Sequence, residues 1–217
     1  MTTIEARKQA IRREALERRD AIDTEERQRR GQAACERLFS QVAAAKGADG
    51  RHPVALALYD SMGSEVPTGR LLQLALGAGW TVCLPVLTAA ESASSLKRRT
   101  MAFVAVTSEN IAAARELFLG HPLRSVRLEQ LVEAGIPEAD PASIDAFAVP
   151  LVAFDDQNRR LGYGGGYYDA VLAQVLASPE NPNARTPFVR GLAFAEQQVD
   201  RVPTDDHDVP LPGIIVA

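Results

Sequence analysis

Four glycines within five positions, Gly162, Gly164, Gly165 and Gly166, lie between Arg159-Arg160-Leu161 and a cluster of rings and acid, Tyr167, Tyr168 and Asp169. Glycine inside a regular element costs roughly 0.5–1 kcal/mol relative to alanine, so the cluster calls for a reason. Backbone stripped of side chains lets peptide N–H groups approach an anion. A helix opening just beyond adds unpaired N–H groups and a favourable dipole. Arg159 or Arg160 can supply charge-assisted bonds to the same oxygens. Tyr163, Tyr167 and Tyr168 offer flat faces for a heterocycle. The chemistry these types support is binding of a phosphorylated ligand; the bland alternative is a tight strand-to-helix turn. Neither common phosphate fingerprint is met. Gly162-Tyr163-Gly164 starts a GxGxxG pattern, but Tyr167 takes its last position, and no Gly-Lys-Ser/Thr follows.

The surrounding periodicity shows what must position this loop. Residues 3–20 read as a helix with Ile4, Ile11 and Ala15 on one face. Asp23, with Glu26 three later, resembles a capping box opening a second helix, in which Ala34, Cys35, Leu38, Phe39 and Val42 form a stripe. Six apolar runs then read as strands: 54–59, 81–87, 101–106, 145–154, 188–194 and 213–217. Most are continuously apolar, as in strands covered on both faces. Helical patterns fall at 67–77, 110–119, 124–134 and 167–177, with polar loops at 87–99 and 178–187. Such alternation predicts a three-layer α/β/α fold with a mostly parallel central sheet, in one domain spanning residues 1–217. In open sheets of this kind ligands collect where strand carboxyl ends meet helix amino ends, which is where the glycines fall.

Composition narrows the function classes. The chain has 217 residues, 46% apolar and 24% charged, with a net charge of −4. That balance argues against general affinity for nucleic acid or an anionic membrane. Acids offset most of the arginines and lysines in the first thirty residues, so that stretch is a mixed-charge helix face. No apolar run approaches the roughly 18–20 residues of a membrane span. The amino terminus lacks the apolar core of a secretory signal, and a cytoplasmic location is the expectation. Cys35 and Cys83 read as buried free thiols, and the three histidines form no zinc spacing with them.

The stretch PLVAFDDQNRRLGYGGGYYD (150–169) resembles the signature of the 5-formyltetrahydrofolate cyclo-ligase family. Four further pieces agree in order: Lys8 with Arg12, SMGSEV (61–66), AGIPEADP (134–141) and GLAFAEQQVDRVPTDDHDVPL (191–211). Ala139, Ala170 and Pro212 depart from the family's usual residues. The resemblance implies ATP- and magnesium-dependent closure of 5-formyltetrahydrofolate to 5,10-methenyltetrahydrofolate, with ATP as co-substrate and Mg2+ as cofactor; a monomer is the expectation.

Transferred residue by residue, it implies that Lys8, Arg12 and the run Arg160, Leu161, Gly162, Tyr163, Gly164, Gly165, Gly166, Tyr167 and Tyr168 hold ATP. Arg160 and Tyr167 would be catalytic. Glu65, with Tyr163 to Tyr167, would bind the folate, and Asp169 and Asp208 the metal. Lys8 and Arg12, four apart on a helix, can reach one polyphosphate. Two competing readings make different demands. A sugar-phosphate isomerase or CoA-transferase-like enzyme would work without ATP. A nucleic-acid-binding module built on the basic helices would show salt-dependent retention on nucleic acid.

Overall fold

A computed structural model describes residues 3–46, 53–89, 99–121, 124–176 and 186–217. Two long helices come first, α1 (Thr3–Asp20) and α2 (Thr24–Lys46), followed by strands and short helices in alternation. The strands are β1 (Ala55–Ala57), β2 (Thr81–Ala89), β3 (Arg99–Val106), β4 (Ser125–Val126), β5 (Glu138–Ala139), β6 (Ala146–Pro150), β7 (Ala153–Phe154), β8 (Arg160–Leu161), β9 (Phe188–Ala193) and β10 (Ile214–Val216). The later helices are α3 (Gly69–Gly77), α4 (Ile111–Leu117), α5 (Leu128–Glu133) and α6 (Tyr167–Leu176).

The central sheet runs β10-β9-β6-β1-β2-β3-β5, with β4 pairing to β2. Every pairing from β10 to β2 is parallel, as is β2 with β4. The β2–β3 and β3–β5 pairs are antiparallel. Side-chain alternation along each strand builds the layers. Leu56, Val82, Leu84, Val104, Ala146 and Ala148 point to one face, under the α2 stripe of Ala34, Cys35, Leu38 and Val42. Ala57, Cys83, Phe103, Phe147 and Val149 point to the other, where Leu172 of α6 covers them. The three-layer expectation holds. Cys35 and Cys83 are free and buried on opposite faces, where burial pushes their thiols up to about 11 and about 12. Among the described residues no helix is long and apolar enough to cross a membrane.

Several local expectations change. The apolar run 145–154 is not one strand: β6 stops at Pro150, and β7 joins β8 in a separate two-stranded hairpin. Buried Gln197 supports the break by donating its amide to the carbonyls of Leu151 (2.7 Å) and Val152 (3.1 Å). Periodicity could not show this, because a bend between two buried segments leaves both apolar. The segment 124–134 opens with β4 and is helical only from Leu128. The polar loop placed at 87–99 shrinks, because β2 and β3 run on as an antiparallel pair to Ala89 and Arg99. Residues 90–98 and most of the 178–187 loop lie outside the described residues. Asp23 does cap α2, accepting from the Glu25 and Glu26 N–H groups, but Glu26 pairs with Arg29 rather than closing a capping box.

A third apolar cluster positions the glycine loop. Ala15, Ile11 and Leu16 of α1 pack on Val152, Ala153 and Leu161 of the hairpin. The buried face of α1 is therefore not the Ile4-Ile11-Ala15 stripe alone, because Lys8 and Arg19 are buried beside Ala15. That face carries the chemistry.

Candidate active site

The hairpin between β7 and β8 turns through residues 155–159. Asn158 takes a left-handed conformation (φ 57°), which asparagine tolerates. The buried Asp155 carboxylate accepts the N–H groups of Gln157, Arg159 and Val202 and the Arg159 Nε. Burial alone would raise the Asp155 pKa, but these donors hold it below the ordinary aspartate value. Arg159 is thus committed to the turn, and the arginine that reaches the cavity is Arg160.

A cavity of about 370 Å3 opens at the carboxyl ends of β1 and β6. The chain leaves these neighbours in opposite directions, to β2 and to β9, so this is the topological switch point of the sheet. Its size falls within the roughly 300–1,000 Å3 range of small-molecule sites. Every site residue expected from the sequence lines it: Lys8 and Arg12 from α1, Glu65 from the turn after β1, the run Arg160–Asp169, and Asp208 from the late loop.

Each cation in the cavity already has an acid beside it. Lys8 is 5% exposed, and its Nζ lies 2.6 Å from Asp208 Oδ2 and 2.7 Å from Asp205 Oδ2. Burial works against its charge, yet the two carboxylates outweigh that and raise its pKa. Arg12 donates Nε to the Gly162 carbonyl (2.9 Å) and pairs with Glu5 at 3.0 Å. Buried Arg160 pairs with Asp169 Oδ1 at 2.8 Å and donates to the Val209 carbonyl, while the Val209 N–H returns to Asp169. One arginine therefore stitches β8, the start of α6 and the Asp208 loop together.

The glycines act where the backbone is unusual. Gly164 (φ 99°) and Gly166 (φ 68°) occupy conformations that side chains rarely adopt. The Tyr167 ring lies directly over Gly165, where a Cβ would come within 2.9 Å of it. Tyr163 and Tyr167 keep exposed rings. Tyr168 turns its hydroxyl inward, buried and without a partner among the described residues. Burial raises its pKa well above the ordinary tyrosine value.

Glu65 is 5% exposed and accepts the Met62 N–H at 2.9 Å. Burial raises its pKa, against the lowering influence of Met62, Tyr163 and Arg19. Met62, Pro85, Leu87 and Met101 give the cavity an apolar wall.

Sequence reasoning missed Asp205, Glu5 and this wall. Glu5 could have been found, since positions 5, 8 and 12 share a helical face. Leu87 and Met101 could not, because nothing in an apolar strand residue marks it as cavity-lining.

The metal expectation can be tested on the donors. Among the described residues no group of three or more His, Cys, Asp or Glu is gathered as for a fully protein-ligated ion. Asp169 and Asp208 both line the cavity, with hydrogen bonds on Asp169 Oδ1 and Asp208 Oδ2 respectively, so each carboxylate has a second oxygen outside those bonds. Two such carboxylates fit magnesium, which uses one or two of them and takes its other ligands from phosphate and water.

Fold and cavity define a class, a three-layer α/β protein with a charge-rich small-molecule site at the switch point of its sheet. Comparison with known proteins narrows this. The model of the 5-formyltetrahydrofolate cyclo-ligase family matches residues 4–217, and the chain belongs to that family of ligases. The 5-formyltetrahydrofolate cyclo-ligase of Escherichia coli K12 is 29% identical over 205 residues, 92% of this chain and 94% of that one. The mouse protein of the same name is 24% identical over 98% of this chain and 95% of its own. A 5,10-methenyltetrahydrofolate synthetase structure from Mycoplasma pneumoniae superposes with a TM-score of 0.62 at 23% identity. It covers 96% of this chain and 97% of that one, and supports the fold.

Proposed function

We propose that the chain, acting as one domain, closes 5-formyltetrahydrofolate to 5,10-methenyltetrahydrofolate with consumption of ATP and with magnesium as the metal. The observation that carries this reading is the convergence of Lys8, Arg12, Arg160 and the glycine loop with buried Glu65 in one cavity.

A formamide oxygen is a poor leaving group, so ring closure by the neighbouring amine stalls at loss of water. Attack of that oxygen on the γ-phosphorus breaks the bond to ADP and leaves an imidate phosphate. The second folate nitrogen then attacks the formyl carbon, and inorganic phosphate departs with the oxygen and takes up the proton that the nitrogen loses. Phosphoryl transfer asks the protein for alignment and for positive charge around the equatorial oxygens. Arg160, Arg12 and Lys8 supply the charge, and the Gly164–Gly166 amides and the α6 amino terminus supply fixed dipoles. Because Lys8 and Arg160 are held by Asp208 and Asp169, ATP binding is an exchange of partners in which the acids need a new cation. Magnesium on Asp169 and Asp208 would supply that charge. Glu65 accepts paired N–H groups from the pterin, and Tyr163 and Tyr167 offer ring faces to the ligands. Tyr167, whose ring lies over Gly165, would order the transferring group against Arg160.

The test is direct. Protein, 5-formyltetrahydrofolate, ATP and magnesium should together produce the near-ultraviolet absorbance of the methenyl product, and omission of ATP or metal should abolish it. Product formation without ATP would overturn the reading.

A further inference from the structure

We infer that Arg19, which does not line the cavity, is a positioning residue: it holds the Tyr163 hydroxyl and through it the Glu65 carboxylate, setting the folate end of the cavity from the helix that carries Lys8 and Arg12. The inference rests on the proposed folate reading and assigns a function to a residue outside the motif.

Arg19 is 3% exposed. Its Nε donates to Ser64 Oγ at 2.9 Å and its Nη2 to the Tyr163 hydroxyl at 2.9 Å, with Cζ 5.9 Å from the Tyr163 ring centroid. Its Nη1 is buried without a hydrogen-bond partner among the described residues. A guanidinium taken out of water and left partly unsatisfied is unfavourable, and an apolar side chain would serve packing better. The bonds it makes point to what it is for. Arginine can only donate, so the Tyr163 oxygen accepts and its own proton is free for another acceptor. We assign Glu65 as that acceptor, because its buried carboxylate follows Ser64 in the chain and lines the same cavity as Tyr163. Ser64, the other Arg19 partner, is the residue before Glu65 and donates in turn to Asp20. Arg19 therefore grips both the Glu65 turn and the tyrosine that caps it.

The placement on α1 gives the contact a wider meaning. Lys8, Arg12, Ala15 and Arg19 are spaced four, three and four apart and share a face. At 1.5 Å per residue, Lys8 and Arg19 are roughly 16 Å apart along the axis. Ala15 anchors the midpoint on the hairpin. One rigid helix thus reaches both the proposed triphosphate end and the proposed folate end, and fixes their separation.

The experiment measures KM for 5-formyltetrahydrofolate and for ATP in wild type, Arg19→Met, Tyr163→Phe and the double variant. Arg19→Met should raise the folate KM about tenfold, the order of one charge-assisted hydrogen bond, and leave the ATP KM within about twofold. Tyr163→Phe should shift the folate KM in the same direction, and the double variant should be no worse than the weaker single. An unchanged folate KM, both KM values rising together, or multiplicative losses in the double variant would overturn the role. Should Arg19→Met fail to fold by circular dichroism, Tyr163→Phe decides alone, because it leaves the Arg19–Ser64 bond in place; an unchanged folate KM there overturns it. Equilibrium binding of 5-formyltetrahydrofolate without ATP separates the two levels. Wild type that binds none overturns the functional reading. Wild type that binds, with Arg19→Met binding equally well, overturns the Arg19 role alone.

Discussion

At one end of the cavity Lys8, Arg12 and Arg160 each lie against a carboxylate, whereas at the other Glu65 sits buried against neutral donors, with Arg19 behind Tyr163. Paired cations at the first end remain charged and soluble without ligand, and are released only by something that satisfies their acids. The buried Glu65 carboxylate, with Asp60 also in the cavity lining, has been stripped of water in advance, which strengthens whatever N–H pair reaches it. Under the proposed function the first end would serve exchange and the second fixed recognition.

The largest effect should come from cutting the stitch that joins the exchange end. Arg160→Ala removes the bonds to Asp169 and Val209 along with the charge, and should lower kcat by about 10²–10³-fold in steady-state assays. A fall confined to folate KM would place Arg160 at the wrong end. Lys8→Met should raise the ATP KM by roughly 10–100-fold with a much smaller change for folate. Equal changes in both would erase the division. Gly165→Val drives a side chain into the Tyr167 ring, and a loss of about tenfold in ATP affinity is expected by equilibrium titration. Retained affinity in a folded variant would show that the loop is not a cradle.

The smallest effect sharpens the recognition end through pH. Burial raises the Glu65 pKa, and acceptance of N–H groups requires the carboxylate form. Folate affinity should therefore weaken as pH falls, beginning above the pH at which an ordinary glutamate protonates, near 4.3. Glu65→Gln should bind folate about tenfold more weakly at neutral pH and lose that acid dependence, as read by KM against pH.

Two regions differ in how far their sequence could be read. The glycine loop was legible as unusual backbone, because four glycines in five positions mark conformations that side chains disfavour, and Gly164 and Gly166 do take positive φ. Its neighbours were legible in type but not in path. The run 145–154 reads as one strand, yet it breaks at Pro150 where Gln197, some forty-five residues away, supplies the missing hydrogen bonds. In α1 the apolar positions drew attention to Ile4 and Ile11, while the helix buries Lys8 and Arg19, whose charges cannot be assigned to a buried face without their partners.

From the sequence alone came the alternation of strands and helices, the loop that strips its backbone, and the residue types that line the cavity. Those are properties of neighbours along the chain, written in local periodicity and local chemistry. Which arginine enters the cavity, which acid holds which cation, and that Arg19 holds Ser64 and Tyr163 were decided only when α1, the hairpin and the late loop packed together. Long-range hydrogen bonds and ion pairs depend on distances that spacing does not encode.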